Sequence, residues 1–189
     1  MLTYTLGLIR QGDHVLLLNR ENPVWMGCWN GIGGKIEPNE LPRAAMQREI
    51  HEETGLELDE IAFNGIVTWS TLAGEGFGGM YVYEARLDAD YPYATPIRTS
   101  EGILDWKAES WILHEKNQGV ATNLQSLIQV LNITVNGINH HSVFQEDKMI
   151  KHLTTPIDAR IEYDEELRMQ YLRDYIEWYK TQATAVRAR

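Results

Sequence analysis

Two apolar, β-rich runs open the chain, TYTLGLI and HVLLLNR, and the Arg-Gln-Gly-Asp between them predicts a hairpin. Residues 22–39 are rich in Gly, Pro and Asn and read as loop. A helix is predicted to start near Pro42, since proline suits the first helical position, and to stop at Gly55 after Thr54. GIVTWSTL and MYVYEARL read as strands joined by the glycine-rich GEGFGG, and LDWKAESWIL as a further strand. NLQSLIQVL has helical spacing in Leu124, Leu127, Ile128 and Leu131, and VNGINHHSVFQ with KMIKHLT suggests a last hairpin.

From about Asp158 the pattern changes. Leu167, Tyr171, Tyr175 and Tyr179 recur every four residues, flanked by Leu172, Ile176 and Trp178. Acidic residues come early and basic ones late, as a helix dipole favours. This predicts one long amphipathic helix whose aromatic stripe buries against the domain's own sheet or against another copy, so the chain is expected as monomer or homodimer. Strands on either side of a central helix predict an α+β or layered α/β/α domain over 1–156, with a helical extension over 157–189.

Composition narrows this picture. At 189 residues and 43% apolar, one domain with a sizeable core is expected. The net charge of −10, from 17 basic and 27 acidic residues, argues against a nucleic-acid polymer as partner, though a small anion held by bridging cations stays open. The single cysteine, Cys28, excludes an internal disulfide and a cysteine zinc site, and fits a reducing compartment. Neither a signal peptide nor a membrane span is seen, so a cytoplasmic protein is expected.

Within the predicted helix, REIHEETG sets Glu49, Glu52 and Glu53 on one face, in the last turn. Like charges at these spacings destabilise a helix by about 0.2–0.5 kcal/mol per pair, and the helix dipole adds to the cost. A solvated acidic face is the ordinary explanation. The other is a site for a hard divalent cation, which takes carboxylate oxygens together with substrate phosphates. The glycines before the helix, Gly33 and Gly34, would let backbone approach a ligand and free a carbonyl for it. Arg48 could orient a neighbouring carboxylate.

The frame around the glutamates decides between the two. The segment GGKIEPNELPRAAMQREIHEETGL resembles the Nudix box, G-x5-E-x7-R-E-U-x-E-E-x-G-U with U aliphatic. Gly34, Glu40, Arg48, Glu49, Ile50, Glu52, Glu53, Gly55 and Leu56 fill every specified position. The resemblance to Nudix hydrolases runs to about residue 154. It implies an α/β/α sandwich around a mixed sheet, and Mg²⁺- or Mn²⁺-dependent hydrolysis of a nucleoside diphosphate linked to another group. By the same resemblance Gly33 would offer a carbonyl to metal, Glu49, Glu52 and Glu53 would be ligands, and Glu40 and Arg48 would support the box. In SEGILDW, Glu101 is similar to the later acidic residue of MutT-type members, as metal ligand or general base. The base role stays open between Glu53 and Glu101.

The run WNGIGGKIEPNE is similar to MutT-type 8-oxo-dGTP diphosphatases, in particular the animal oxidised-purine triphosphatases. That likeness implies that Asn30 hydrogen-bonds a base, with a turn asparagine as the plainer alternative. Arg20 and Lys35 could meet phosphates or be surface charges. Animal members carry an Asp-Asp pair before the second long helix. Here VATNLQS holds no acid, and Asn123 stands either as a base contact or as a helix N-cap. Another nucleotide substrate, ADP-ribose or a dinucleotide polyphosphate, or a Nudix-fold binding protein without turnover, remains the competing reading. His140 and His141 are adjacent, so on a strand they point to opposite faces and do not easily share a metal. Trp25 and Trp29 are candidates to stack on a base or to pack in the core.

Overall fold

The computed structural model describes residues 2–134, 137–146 and 148–187. The elements are β1 (Leu2–Gln11), β2 (His14–Arg20), β3 (Trp29–Asn30), α1 (Pro42–Thr54), β4 (Ala62–Thr71), β5 (Gly78–Leu87), β6 (Ile97–Arg98) and β7 (Gly102–Ala108). There follow α2 (Glu109–Ile112), α3 (Thr122–Leu131), β8 (Ile138–Gln145), β9 (Lys148–Pro156), a 3-10 turn (Ala159–Glu162) and α4 (Glu165–Arg187). One mixed sheet runs β6-β7-β2-β1-β5-β4-β8-β9, with β3 beside β2. The β1–β5 and β4–β8 pairs are parallel and the others antiparallel.

Strand alternation divides the core into two layers. Ile9, Leu16, Leu18, Ile66, Tyr81 and Tyr83 face Met46 and Ile50 of α1 together with Ile161 and Leu172 of the C-terminal segment. Leu6, Leu8, Val15, Leu17, Val67 and Val82 face Leu124, Leu127 and Ile128 of α3. Leu16 and Leu17 thus enter opposite layers, as a period of two requires. The result is the layered α/β/α sandwich, with the C-terminal helix beside α1.

Most predicted elements lie where the pattern put them. The hairpin starting at Val135 is seen from Ile138 onward; Val135 and Asn136 lie outside the described residues. Three details differ. The strand predicted through LDWKAESWIL ends at Ala108, and α2 begins at Glu109. Here the Glu109 N–H donates to Asp13 O at 2.9 Å, and its carboxylate accepts Arg10 and, at 2.7 Å, Asn132 Nδ2, so distant partners turn the chain. Ala121, not Asn123, is the N-cap of α3, without a side-chain cap bond. The C-terminal helix begins at Glu165 rather than near Asp158, after the 3-10 turn; Asp158 caps that turn by accepting Arg160 N–H at 2.9 Å, and Asp164 accepts Leu167 N–H at 2.9 Å.

The aromatic stripe of α4 packs on its own sheet. Asn139 Nδ2 donates to the Tyr171 hydroxyl at 3.0 Å, and Tyr175 and Tyr179 pack on the His141 ring at centroid distances of 5.4 and 4.8 Å. His141 bonds Thr68 at 2.7 Å and Ser70 at 3.0 Å, while His140 faces the other layer and bonds Ser126 at 3.0 Å. The adjacent histidines therefore point to opposite faces. Among the described residues no helix is long and apolar enough to cross a membrane.

Candidate active site

The box helix is set against β1 by the loop before it. Thr5 N–H donates to Gly34 O at 2.9 Å, and Gly7 and Ile32 exchange backbone hydrogen bonds at 2.7 and 3.1 Å. Gly33 has φ 141°, and a Cβ there would lie 2.3 Å from Thr5 O. A Cβ on Gly34 would lie 2.5 Å from a Glu49 carboxylate oxygen. Both glycines are thus required by close approach: one by strand backbone, the other by a carboxylate. At the far end of α1, Gly55 adopts a left-handed φ of 73° and donates to His51 O at 2.8 Å.

Arg48 gathers the carboxylates. Its Nε and Nη2 donate to the two oxygens of Glu40 at 2.8 and 2.9 Å. Nη1 donates to Glu49 Oε1 at 2.9 Å and Glu52 Oε2 at 3.0 Å, and Nη2 also reaches Lys35 O at 3.1 Å. The Arg48 hydrogen bonds hold the Glu40 carboxyl below its usual range, and Glu40 in turn raises the guanidinium. Glu49 is pushed upward, chiefly by burial, against the pull of Arg48. Burial pushes Glu53 up to about 8, with the Glu49 and Glu101 charges adding to it and the Gly33 N–H, 3.2 Å from Oε2, opposing.

These groups border a cavity of about 270 Å³. Glu49, Glu52, Glu53, Gly33 and Gly34 form one wall, and Arg20, Thr99, Ser100 and Glu101 the other. Arg20 ends β2 and pairs in register with Gly102 of β7, so Arg20 and Glu101 come to the cavity from neighbouring strand ends. Thr99 and Ser100 were not singled out in the sequence; the only signal there is a hydroxyl residue two positions before a glutamate, a turn-forming spacing.

Lys35, Asn30 and Asn123 do not line this cavity. Asn30 Oδ1 accepts Gly31 N–H at 3.0 Å. The backbone nevertheless joins the two asparagine segments: Trp29 bridges Val120, and Ala121 N–H donates to Trp29 O at 3.0 Å. Asn123 Oδ1 is buried with no hydrogen-bond partner. The Trp29 ring carries the Lys107 ammonium 4.1 Å from its centroid, so one of its faces is taken. Trp25 packs at the edge of the α3 layer. Cys28, half-buried, lies in the loop between Arg20 and Trp29, where its carbonyl accepts the Arg20 N–H at 3.2 Å.

Among the described residues no three His, Cys, Asp or Glu side chains already surround one point as a cation shell. Arg48 holds one oxygen each of Glu49 and Glu52. The donor set itself fits a hard divalent cation, with four carboxylates on one cavity and Glu53 raised more by burial than the Arg20 charge lowers it.

Known proteins resemble this chain in sequence and in fold. The model of the NUDIX domain family matches residues 3–125. An oxidized purine nucleoside triphosphate hydrolase of Mus musculus is 29% identical over 103 residues, 54% of this chain and 64% of that protein. A putative 8-oxo-dGTP diphosphatase 2 of Mycobacterium tuberculosis is 40% identical over 73 residues, 33% of this chain and 52% of that protein. The chain thus spans less than two thirds of the length of these relatives. The crystal structure of a MutT protein from Bacillus halodurans superposes with a TM-score of 0.65 at 21% identity, over 82% of this chain and 98% of that one. With the family model covering well over half of its residues and the same layered fold, the chain belongs to the Nudix family.

Proposed function

We propose that the chain is a metal-dependent nucleoside triphosphate pyrophosphohydrolase that acts on oxidised purine nucleotides such as 8-oxo-dGTP, releasing the monophosphate and pyrophosphate. The observation that supports this reading best is the convergence of Glu49, Glu52 and Glu53 with Glu101 and Arg20 on one cavity. Glu49, Glu52, Glu53 and Glu101, with the Gly33 carbonyl, would hold Mg²⁺ or Mn²⁺. The ion would neutralise phosphate charge and lower the pKa of the attacking water.

The chain's own groups do the rest. Arg20 meets a phosphate oxygen, a task suited to a guanidinium facing acidic walls. Arg48 keeps Glu49 and Glu52 turned inward while Glu40 anchors it. Glu53 or Glu101 accepts the proton of the attacking water. Asn30 and Asn123, on segments joined through Trp29 and Ala121, recognise the base, and an amide can match both donors and acceptors on a purine edge. Lys35 stands outside the cavity lining and contributes at most from its margin.

Steady-state kinetics with 8-oxo-dGTP, dGTP, ADP-ribose and a dinucleotide polyphosphate in Mg²⁺ test the substrate. A preference of orders of magnitude for ADP-ribose or a dinucleotide overturns the oxidised-purine reading while leaving the hydrolase reading in place. Glu53→Gln is expected to lower kcat by about a hundredfold or more. An unchanged kcat in that variant removes Glu53 from the site.

A further inference from the structure

The Glu101 carboxylate makes no hydrogen bond of its own among the described residues, so its place at the cavity is set through its backbone. That backbone is a tight turn. Thr99 N–H donates to Gly102 O at 2.8 Å, and Glu21 N–H donates to Glu101 O at 3.0 Å, tying the turn to the end of β2 just beyond Arg20. Gly102 has φ 149°, and a Cβ there would fall 1.9 Å from Asn19 O, so the turn lies directly on β2.

The Thr99 hydroxyl organises this turn. Its Oγ1 accepts Glu101 N–H at 3.1 Å and Gly102 N–H at 3.2 Å, and it donates to Gly102 O at 3.3 Å. A hydroxyl has one proton to give and two lone pairs to accept with. Both accepting positions are used within the turn, and the proton has only the longer contact to Gly102 O. Although Thr99 borders the cavity, both accepting sites of its hydroxyl are taken by the Glu101 and Gly102 amides.

We infer that Thr99 is a positioning residue: its hydroxyl fixes the direction in which Glu101 faces the box helix. The inference rests on the proposed hydrolase reading, and specifically on a role for Glu101 in it. Misplacing a reacting group by about 1 Å is worth on the order of a hundredfold in rate. A residue that binds substrate directly would show itself in KM instead.

The test uses the full chain, with 8-oxo-dGTP, dGTP and ADP-ribose as substrates in Mg²⁺. Thr99→Val keeps the β-branched shape and removes the hydroxyl; Thr99→Ser keeps the hydroxyl. Thr99→Val is expected to lower kcat by about tenfold to a hundredfold with KM within about twofold, and Thr99→Ser to restore kcat to within about threefold. Without turnover, amide hydrogen exchange read by NMR is expected to speed up at Glu101 and Gly102 in Thr99→Val and to stay at the wild-type rate in Thr99→Ser. Glu101→Gln is the reference variant. If it is impaired while Thr99→Val keeps the wild-type kcat and exchange, the inference is overturned and the hydrolase reading stands. If Glu101→Gln matches wild type, the inference falls with the role of Glu101 and the hydrolase reading stands; if wild-type protein hydrolyses none of the three substrates, the reading falls and takes the inference with it. A rise in KM alone in Thr99→Val also overturns it.

Discussion

Arg43, in the first turn of α1, pairs with Glu162 at 2.8 Å, and the same carboxylate oxygen accepts the Tyr83 hydroxyl at 3.2 Å. Arg43 Nη1 also reaches Ile61 O at 2.5 Å. The box helix, the sheet and the segment after Pro156 thus meet at one carboxylate. Arg43 is partly solvated, so the ion pair alone contributes little. Most of the effect comes from the polar groups left behind at a largely buried carboxylate position. Glu162→Ala is expected to lower stability by about 1–3 kcal/mol, read as a lower urea midpoint with an unchanged slope.

The segment after Pro156 is part of the core. Ile157, Ile161 and Leu172 belong to the layer that also holds Met46 and Ile50. Burying each such side chain is worth about 1.5–3 kcal/mol. A chain ending at residue 156 is therefore expected to lose near-ultraviolet circular dichroism and to bind a hydrophobic dye, as a loosely packed state does. A truncated chain with a sharp, wild-type-like melting transition would show that these contacts are dispensable.

The two glycines of the loop should separate stability from activity. Gly33→Ala sets a Cβ against strand backbone at a φ that side chains rarely adopt, and is expected to cost on the order of 2–4 kcal/mol. Gly34→Ala meets only the end of the Glu49 side chain, which can swing away. It is expected to cost less than about 1 kcal/mol in stability yet lower kcat by about tenfold or more. Denaturant melts and kinetics on both variants check the contrast.

Acid should loosen the fold through β8. Burial holds both His140 and His141 down at about 4, each helped by a neighbouring imidazole. The unfolded chain takes up these protons near 6.5, the native one only near 4, so it is the unfolded state that binds more protons between those values. The stability these two rings contribute is therefore full above about pH 6.5 and is lost as pH falls towards 4, by on the order of 3 kcal/mol for each imidazole, while Glu53, raised to about 8, acts in the opposite direction over part of the same range. The melting temperature of the wild type relative to His141→Asn is expected to fall as pH falls across this window. A His141→Asn profile parallel to that of the wild type would contradict the buried neutral state of the His141 ring.

How much of this was legible in the sequence depended on where the cause lies. Pro42 and Gly55 mark the box helix from within, so its bounds were readable. The spacing of Glu49, Glu52 and Glu53 did the same for one wall of the cavity. The turn at Glu109 was not readable, because Arg10 and Asn132, which draw it in, are far away along the chain. Thr99 was missed for a related reason: its hydroxyl matters only because Gly102 lies on β2. The stripe on α4 announced that it would be buried, but an apolar pattern names no partner. The packed rings of His141 and Phe77 show that Tyr175 and Tyr179 are used within the chain.

The lone thiol has a consequence of its own. Cys28 holds the Arg20 amide through its carbonyl and lies in the loop leading to Asn30. The sequence thus offers a single thiol attachment point between Arg20, which lines the cavity, and Asn30, which does not. A fluorophore on that sulfur would test the proposed binding of a nucleotide through its emission, without any engineered cysteine.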